Sequence, residues 1–267
     1  MPRPSAAVAV EPEDPPRAPW SAVRESFLGA WGYPEGKFNP EHLEILGPNG
    51  SGKTYFEATI LQERVKLRGS AVIFIATKPV DATITRLGWP VVDDWKGVTK
   101  NRQSIFWPRT ELLGEQWVAY MAAKIEDLLA RLWRAKAKVI LVFDEIATSE
   151  ELSTRLKLII KRYWREARSV GITIVAMKQR PQGIQRDMHS EAAWIAAFKP
   201  KDEEDAVRVA QIMGGRKRWL PVLMGLDRDR HEFVLLHSRT GDAVITWVDI
   251  PLRPAAQPKR GHYRKAS

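Results

Sequence analysis

Short, wholly apolar runs alternate along this chain with longer segments whose apolar residues recur at helical spacing. His42–Leu46 reads as a strand that enters a glycine-rich loop, and Lys53–Leu67 as the helix after it, closed by Gly69. Ala71–Ala76 (AVIFIA) and Gln103–Trp107 read as further strands. Glu115–Ala135 carries an amphipathic helical pattern and leads into VILVF, a fully apolar strand. A second helix is expected over Glu150–Ser169, opened by the capping-box pair Thr148 and Glu151. Gly171 then opens the strand ITIVAM, and Ala192–Phe198 (AAWIAAF) is another strand candidate. Strands that are apolar at every position are buried on both faces. Their alternation with helices predicts an α/β fold, a mostly parallel sheet covered by helices on both sides. The C-terminal HEFVLLHSRTGDAVITWVDI differs, because two strand-like runs flank Arg239–Asp242; an antiparallel hairpin at a sheet edge is expected there.

The ends of the chain read differently from this body. Residues 1–40 are rich in proline and alanine without periodicity, which predicts a mostly disordered arm with one short docking helix at Trp20–Trp31. A single α/β body is expected over 41–250, and 251–267 reads as a flexible basic tail. No apolar run approaches the ~18 residues of a membrane span, and no leader is read at the N-terminus. The chain has no cysteine, which excludes disulfides and thiolate metal sites and agrees with a cytoplasmic location. Its formal net charge of +10 points to an anionic partner, nucleic acid first.

The loop Gly47-Pro48-Asn49-Gly50-Ser51-Gly52-Lys53-Thr54 matches the phosphate-binding pattern G-x-x-x-x-G-K-[ST]. Its glycines let successive backbone N–H groups curl around phosphates. Lys53 neutralises the β/γ charge, the Thr54 hydroxyl ligates Mg²⁺, and the helix that starts here adds its positive end. VILVF then delivers Asp144 to the C-terminal end of a buried strand, suited to the outer shell of Mg²⁺. The adjacent Glu145 suits activation of the attacking water, which favours hydrolysis over binding alone. ATP is expected rather than GTP, since no Asn-Lys-x-Asp guanine reader is present.

The same loop spelling occurs in ABC-type ATPases, which place Leu-Ser-Gly-Gly-Gln before the aspartate strand. The nearest segment here, Leu112-Leu113-Gly114-Glu115-Gln116, lacks the serine and sets a carboxylate where a phosphate should approach. The stretch GITIVAMKQRP, Gly171 to Pro181, instead resembles the sensor strand of the FtsK/HerA superfamily of DNA-pumping ATPases. That resemblance, spanning roughly Leu43 to Pro200, implies a RecA-like P-loop NTPase that assembles into a ring, a hexamer favoured, and moves double-stranded DNA. It assigns γ-phosphate sensing to Gln179, and to Arg168, in Arg168-Ser-Val-Gly171, a reach into the neighbouring subunit's site; Arg165 and Arg180 are the alternatives. Genome packaging, DNA transfer or partition are the implied tasks, with a capsid portal or transfer channel as a further partner. One departure is the turn Ala76-Thr77-Lys78-Pro79, where family members often carry an Asp-Pro-Lys-like turn. An ATP-dependent switch or assembly protein that does not grip DNA is the rival reading.

Two basic features remain. Lys157, Lys161, Arg165 and Arg168 share one helical face, which sequence alone sets beside the candidate site. Arg216-Lys217-Arg218-Trp219 reads as a loop able to grip phosphates and stack on a base.

Overall fold

The computed structural model describes residues 14–31, 41–66, 71–78, 82–85, 87–179 and 186–249. The strands are largely apolar because helices cover most of the sheet on both faces. They are His42–Leu46 (β1), Val72–Ile75 (β2), Val91–Val92 (β3), Gln103–Phe106 (β4), Val139–Phe143 (β5), Ile172–Lys178 (β6), Ala192–Phe198 (β7), Phe233–His237 (β8) and Ala243–Thr246 (β9). One sheet holds them in the order β3-β4-β2-β5-β6-β1-β7-β8-β9. Every pairing from β3 to β7 is parallel, and β8 and β9 join antiparallel as the expected hairpin.

The helices are Trp20–Ala30 (α1), Lys53–Lys66 (α2), Ala82–Thr85 (α3), Trp95–Lys100 (α4), Gly114–Ala135 (α5), Ile146–Glu151 (α6), Thr154–Glu166 (α7), Arg186–Glu191 (α8), Glu203–Ile212 (α9) and Arg216–Met224 (α10). Against one face of the sheet α1 and α2 bury Trp20, Phe27, Phe56, Ile60 and Leu61. Against the other, α5, α7, α9 and α10 bury Ile125, Leu129, Leu156, Ile160, Val209 and Leu223. The two layers match the expected architecture.

Three expectations need correction. The helix expected over Glu150–Ser169 is broken: α6 ends at Glu151 and α7 starts at Thr154. Ser153, not Thr148, caps the second helix, accepting from the Leu156 N–H at 2.9 Å while its own hydroxyl donates to Glu126. Arg216–Trp219 is the first turn of α10 rather than a loop, and Trp219 is buried beneath the Arg218 guanidinium, so its ring is not open to a base. Finally, the docking helix expected at Trp20–Trp31 forms as α1, but the segment around it, residues 14–31, packs onto the body instead of standing off as a disordered arm. The α1 aromatics pack edge-on against Phe56 and Trp194, and 16–18 add a parallel rung beside Ile245. Three buried aromatics, Trp20, Phe27 and Trp31, outweigh the disorder that proline and alanine suggest. Residues 1–13, 32–40 and 250–267 lie outside the described residues.

His42 is a buried polar feature at the start of β1. Its Nδ1 accepts from the Ile174 N–H at 3.0 Å and its Nε2 donates to the Trp164 carbonyl at 3.2 Å. Burial pushes the imidazole down to about 3 from 6.5. An unfolded chain takes up a proton below pH 6.5 that the fold refuses, so stability must fall as pH drops through that window. Between pH 7 and pH 5 the loss is about 2 kcal/mol. The carboxyl of Glu44, held down to about 2, begins to contribute only below its ordinary 4.5, outside that window. Urea unfolding at the two pH values should show the loss in the native chain and a much flatter response in His42→Gln. Equal losses would assign the acid sensitivity elsewhere.

Candidate active site

The sheet order builds the site. Because β6 lies between β1 and β5, the ends of three parallel strands release the glycine loop, the Asp144–Glu145 pair and Gln179 side by side at one edge. The end of β6 is fixed by a buried ionic group. Lys178 Nζ donates to Glu44 Oε1 at 2.7 Å, and His189 Nδ1 meets Glu44 Oε2 at 2.8 Å. Burial alone would raise the Glu44 carboxyl, but Lys178 and His189 pull it down to about 2, so the acid stays charged. The Lys178 carbonyl in turn accepts from the Gly47 N–H at 3.2 Å, tying the glycine loop to β6.

The loop itself is shaped by close approach. A Cβ on Gly47 would come within 2.7 Å of the Phe198 Cβ, so only glycine lets the loop pass β7. Gly52, at φ +98°, takes the left-handed turn into α2, where its missing Cβ leaves room for His231 at 3.2 Å. Lys53 donates from Nζ to the Pro48 carbonyl at 2.8 Å, and burial lowers its ammonium to about 8. The buried Ser51 hydroxyl has no hydrogen-bond partner among the described residues. A polar atom left so inside a ring of loop amides suits a phosphate oxygen.

Across from the loop, Gln179 Nε2 donates to Glu145 Oε2 at 2.5 Å. Burial, the largest influence, raises the half-buried Glu145 carboxyl; Lys78 opposes it and the neighbouring Asp144 adds to it. Asp144 is 2% exposed at the end of β5 and ion-pairs with Lys78 Nζ at 2.7 Å. Thr54 and Asp144 together offer hard oxygen donors, a hydroxyl and a carboxylate, the chemistry Mg²⁺ selects. Among the described residues no three acidic or histidine side chains converge to hold an ion. A divalent ion held there would need nucleotide phosphates and water to complete its shell.

Arg168 lies elsewhere. It sits in the 3₁₀ turn Ala167–Val170 that precedes β6, so the length of that strand, roughly 20 Å, separates it from Gln179 in the same chain. The basic face of α7 therefore ends at the opposite edge of the sheet, not beside the site as the linear order suggests. There Arg168 pairs loosely with Glu191 at 3.9 Å, both partly exposed. Arg165 is exposed on α7, and Arg180 lies outside the described residues.

The structure adds residues that sequence reasoning missed. Lys78 reaches Asp144 from the turn after β2, the strand beside β5. On the β7 side of the loop, a cavity of about 390 Å³ is walled by Asn49, Ser51, Lys199, Lys201 and Arg228 together with His231. Nδ1 of His231 donates to the Ser51 carbonyl at 3.1 Å, so the turn before β8 clasps the glycine loop. These are single residues in turns far apart in sequence, and no local spacing marks them.

The sheet order and the glycine loop define a RecA-like P-loop NTPase fold. Solved structures share it. The DNA-packaging ATPase B204 of Sulfolobus turreted icosahedral virus matches with a TM-score of 0.59 at 14% identity, over 77% of this chain and 96% of its own. The genome-packaging NTPase B204 of Sulfolobus turreted icosahedral virus 2, in complex with ATP-γS, gives 0.59 at 12% identity over 79% and 98%. VirB4 of Thermoanaerobacter pseudethanolicus gives 0.59 at 9% identity over 81% and 91%. The RecA-like P-loop fold expected from the sequence is thus shared with these solved structures. No protein-family model and no curated protein matches the chain.

Proposed function

We propose that this chain is a Mg²⁺-dependent ATPase that moves double-stranded DNA through a ring of its own copies, a hexamer favoured. The observation that carries this reading is the contact between Gln179 and Glu145 beside the glycine loop, made possible by the place of β6. A carboxylate of raised pKa beside an amide is equipment for activating water, which a protein that only binds nucleotide does not need. In this reading the loop amides and Lys53 hold the β- and γ-phosphates. Glu145 takes a proton from the attacking water. Gln179 both donates and accepts, so it can align that water while steadying the carboxylate. Mg²⁺ held through Thr54 and Asp144 supplies positive charge at the phosphates.

DNA as the partner is supported by the net charge of +10, by exposed Arg216 and Lys217 at the start of α10, and by the packaging tasks named for the viral structures of the same fold. Packaging of a viral genome, or transfer or partition of other DNA, are the tasks that fit, with a capsid portal or a transfer channel as the docking partner. A cation on the far edge of the sheet, such as Arg168, can serve a phosphate site only if that site belongs to another copy.

Steady-state ATP turnover with and without duplex DNA tests the reading. Turnover should rise with DNA at ~50 mM salt, and the stimulation should fade by ~200 mM as counterion competition grows. Turnover indifferent to DNA at the lower salt would favour a nucleotide-driven assembly switch instead.

A further inference from the structure

We propose that Lys78 is a cationic gate on the metal site: without nucleotide its ammonium holds the place on Asp144 that Mg²⁺ takes when it arrives bound to ATP. This rests on the nucleotide-site reading above and goes further by assigning an order of binding. The contact is direct, Nζ to Oδ2 at 2.7 Å, against a carboxylate whose side chain is fully buried. An ammonium at that distance supplies the positive charge a metal would otherwise supply, and two cations at one buried carboxylate repel each other. Lys78 itself remains 40% exposed, so its long side chain can swing away without leaving a buried cation behind.

Lys78 is also placed to follow the nucleotide. Its charge is felt by both Lys53 and Glu145, which locates it among the groups that face the phosphates. Once displaced from Asp144, the ammonium has Glu145 and the nucleotide phosphates as its next anions. The gate has a consequence for the sequence of events. The free protein refuses the metal alone and accepts it as the nucleotide complex. A resting site so protected cannot trap a cation in a geometry that blocks ATP.

Mn²⁺ titration followed by electron paramagnetic resonance tests this on the full chain without nucleotide. Lys78→Gln removes the charge while keeping an N–H donor toward Asp144, which guards the fold; Lys78→Arg keeps the charge. We expect Lys78→Gln to bind Mn²⁺ at least about tenfold more tightly than the native chain. Lys78→Arg should stay like the native chain, and adding Asp144→Asn to Lys78→Gln should remove the gain. Native-like Mn²⁺ affinity in Lys78→Gln, with ATP and Mn²⁺ still binding together to both proteins, would overturn the gate and leave the nucleotide site standing. Failure of the native chain to bind ATP with Mn²⁺ would overturn the nucleotide-site reading, and the gate with it.

Discussion

Arg168→Ala is expected to bind ATP and assemble normally yet lose about 10³-fold or more in turnover. Phosphoryl transfer builds negative charge on the transferring group, and an arginine supplied across an interface contributes roughly 10³–10⁵ in rate. The glycine loop, Asp144, Glu145 and Gln179 provide one lysine, metal ligation, a base and an aligning amide. Arg168 stands on the other edge of the sheet, partly exposed and only loosely paired with Glu191. It is free to reach a neighbour. Mixing Arg168→Ala with Lys53→Ala subunits should restore part of the activity, since some interfaces then pair an intact loop with an intact arginine. The recovery should grow with protein concentration, as assembly does. Mixed rings that form but stay inactive at every ratio would put the finger elsewhere, at Arg165 or Arg180, or show that strict coordination around the ring hides it.

Glu145→Gln should keep ATP affinity near the native value and lower turnover by about 10²–10⁴-fold. The amide still fits beside Gln179 but cannot take a proton from water. Burial raises the Glu145 carboxyl, and a more basic carboxylate is a better proton acceptor near neutral pH. Equilibrium binding of a fluorescent ATP analogue separates the two quantities. A glutamine variant with native turnover would move the base to another group, and one with lost binding would make Glu145 a structural residue.

Much of the fold was legible because strands buried on both faces announce themselves as unbroken apolar runs. VILVF, ITIVAM and AAWIAAF each became a strand of the central sheet. The glycine loop and the Asp-Glu strand end were legible for a different reason: each chemical task restricts the residue types at a fixed local spacing. Strand order is not local, so the linear chain could not place Gln179 against Glu145 or set Arg168 at the far edge. Lys78 was hidden in the same way, since only the pairing of β2 with β5 brings it to Asp144. The break between α6 and α7 was missed because Thr148 and Ser153 both offer a capping hydroxyl. The bond from Ser153 to Glu126 on α5 decided between them, and that contact belongs to tertiary structure. The aromatic helix α1 was half-read, since composition speaks for disorder while three bulky rings speak for docking.

The clasp of His231 on the glycine loop carries an evolutionary corollary. Residue 231 answers to two demands, a left-handed backbone at φ 53° and a side-chain donor for the Ser51 carbonyl. Glycine meets the first and not the second; lysine or arginine could meet the second but sits poorly in that backbone. Asparagine and histidine satisfy both. Drift at this position in descendants of the same ancestor should therefore be confined to those two residues, and a lineage that escapes to glycine should have acquired a new donor near Ser51. A residue 180 positions from the loop in sequence would then read, in a set of such lineages, as part of the loop's own signature.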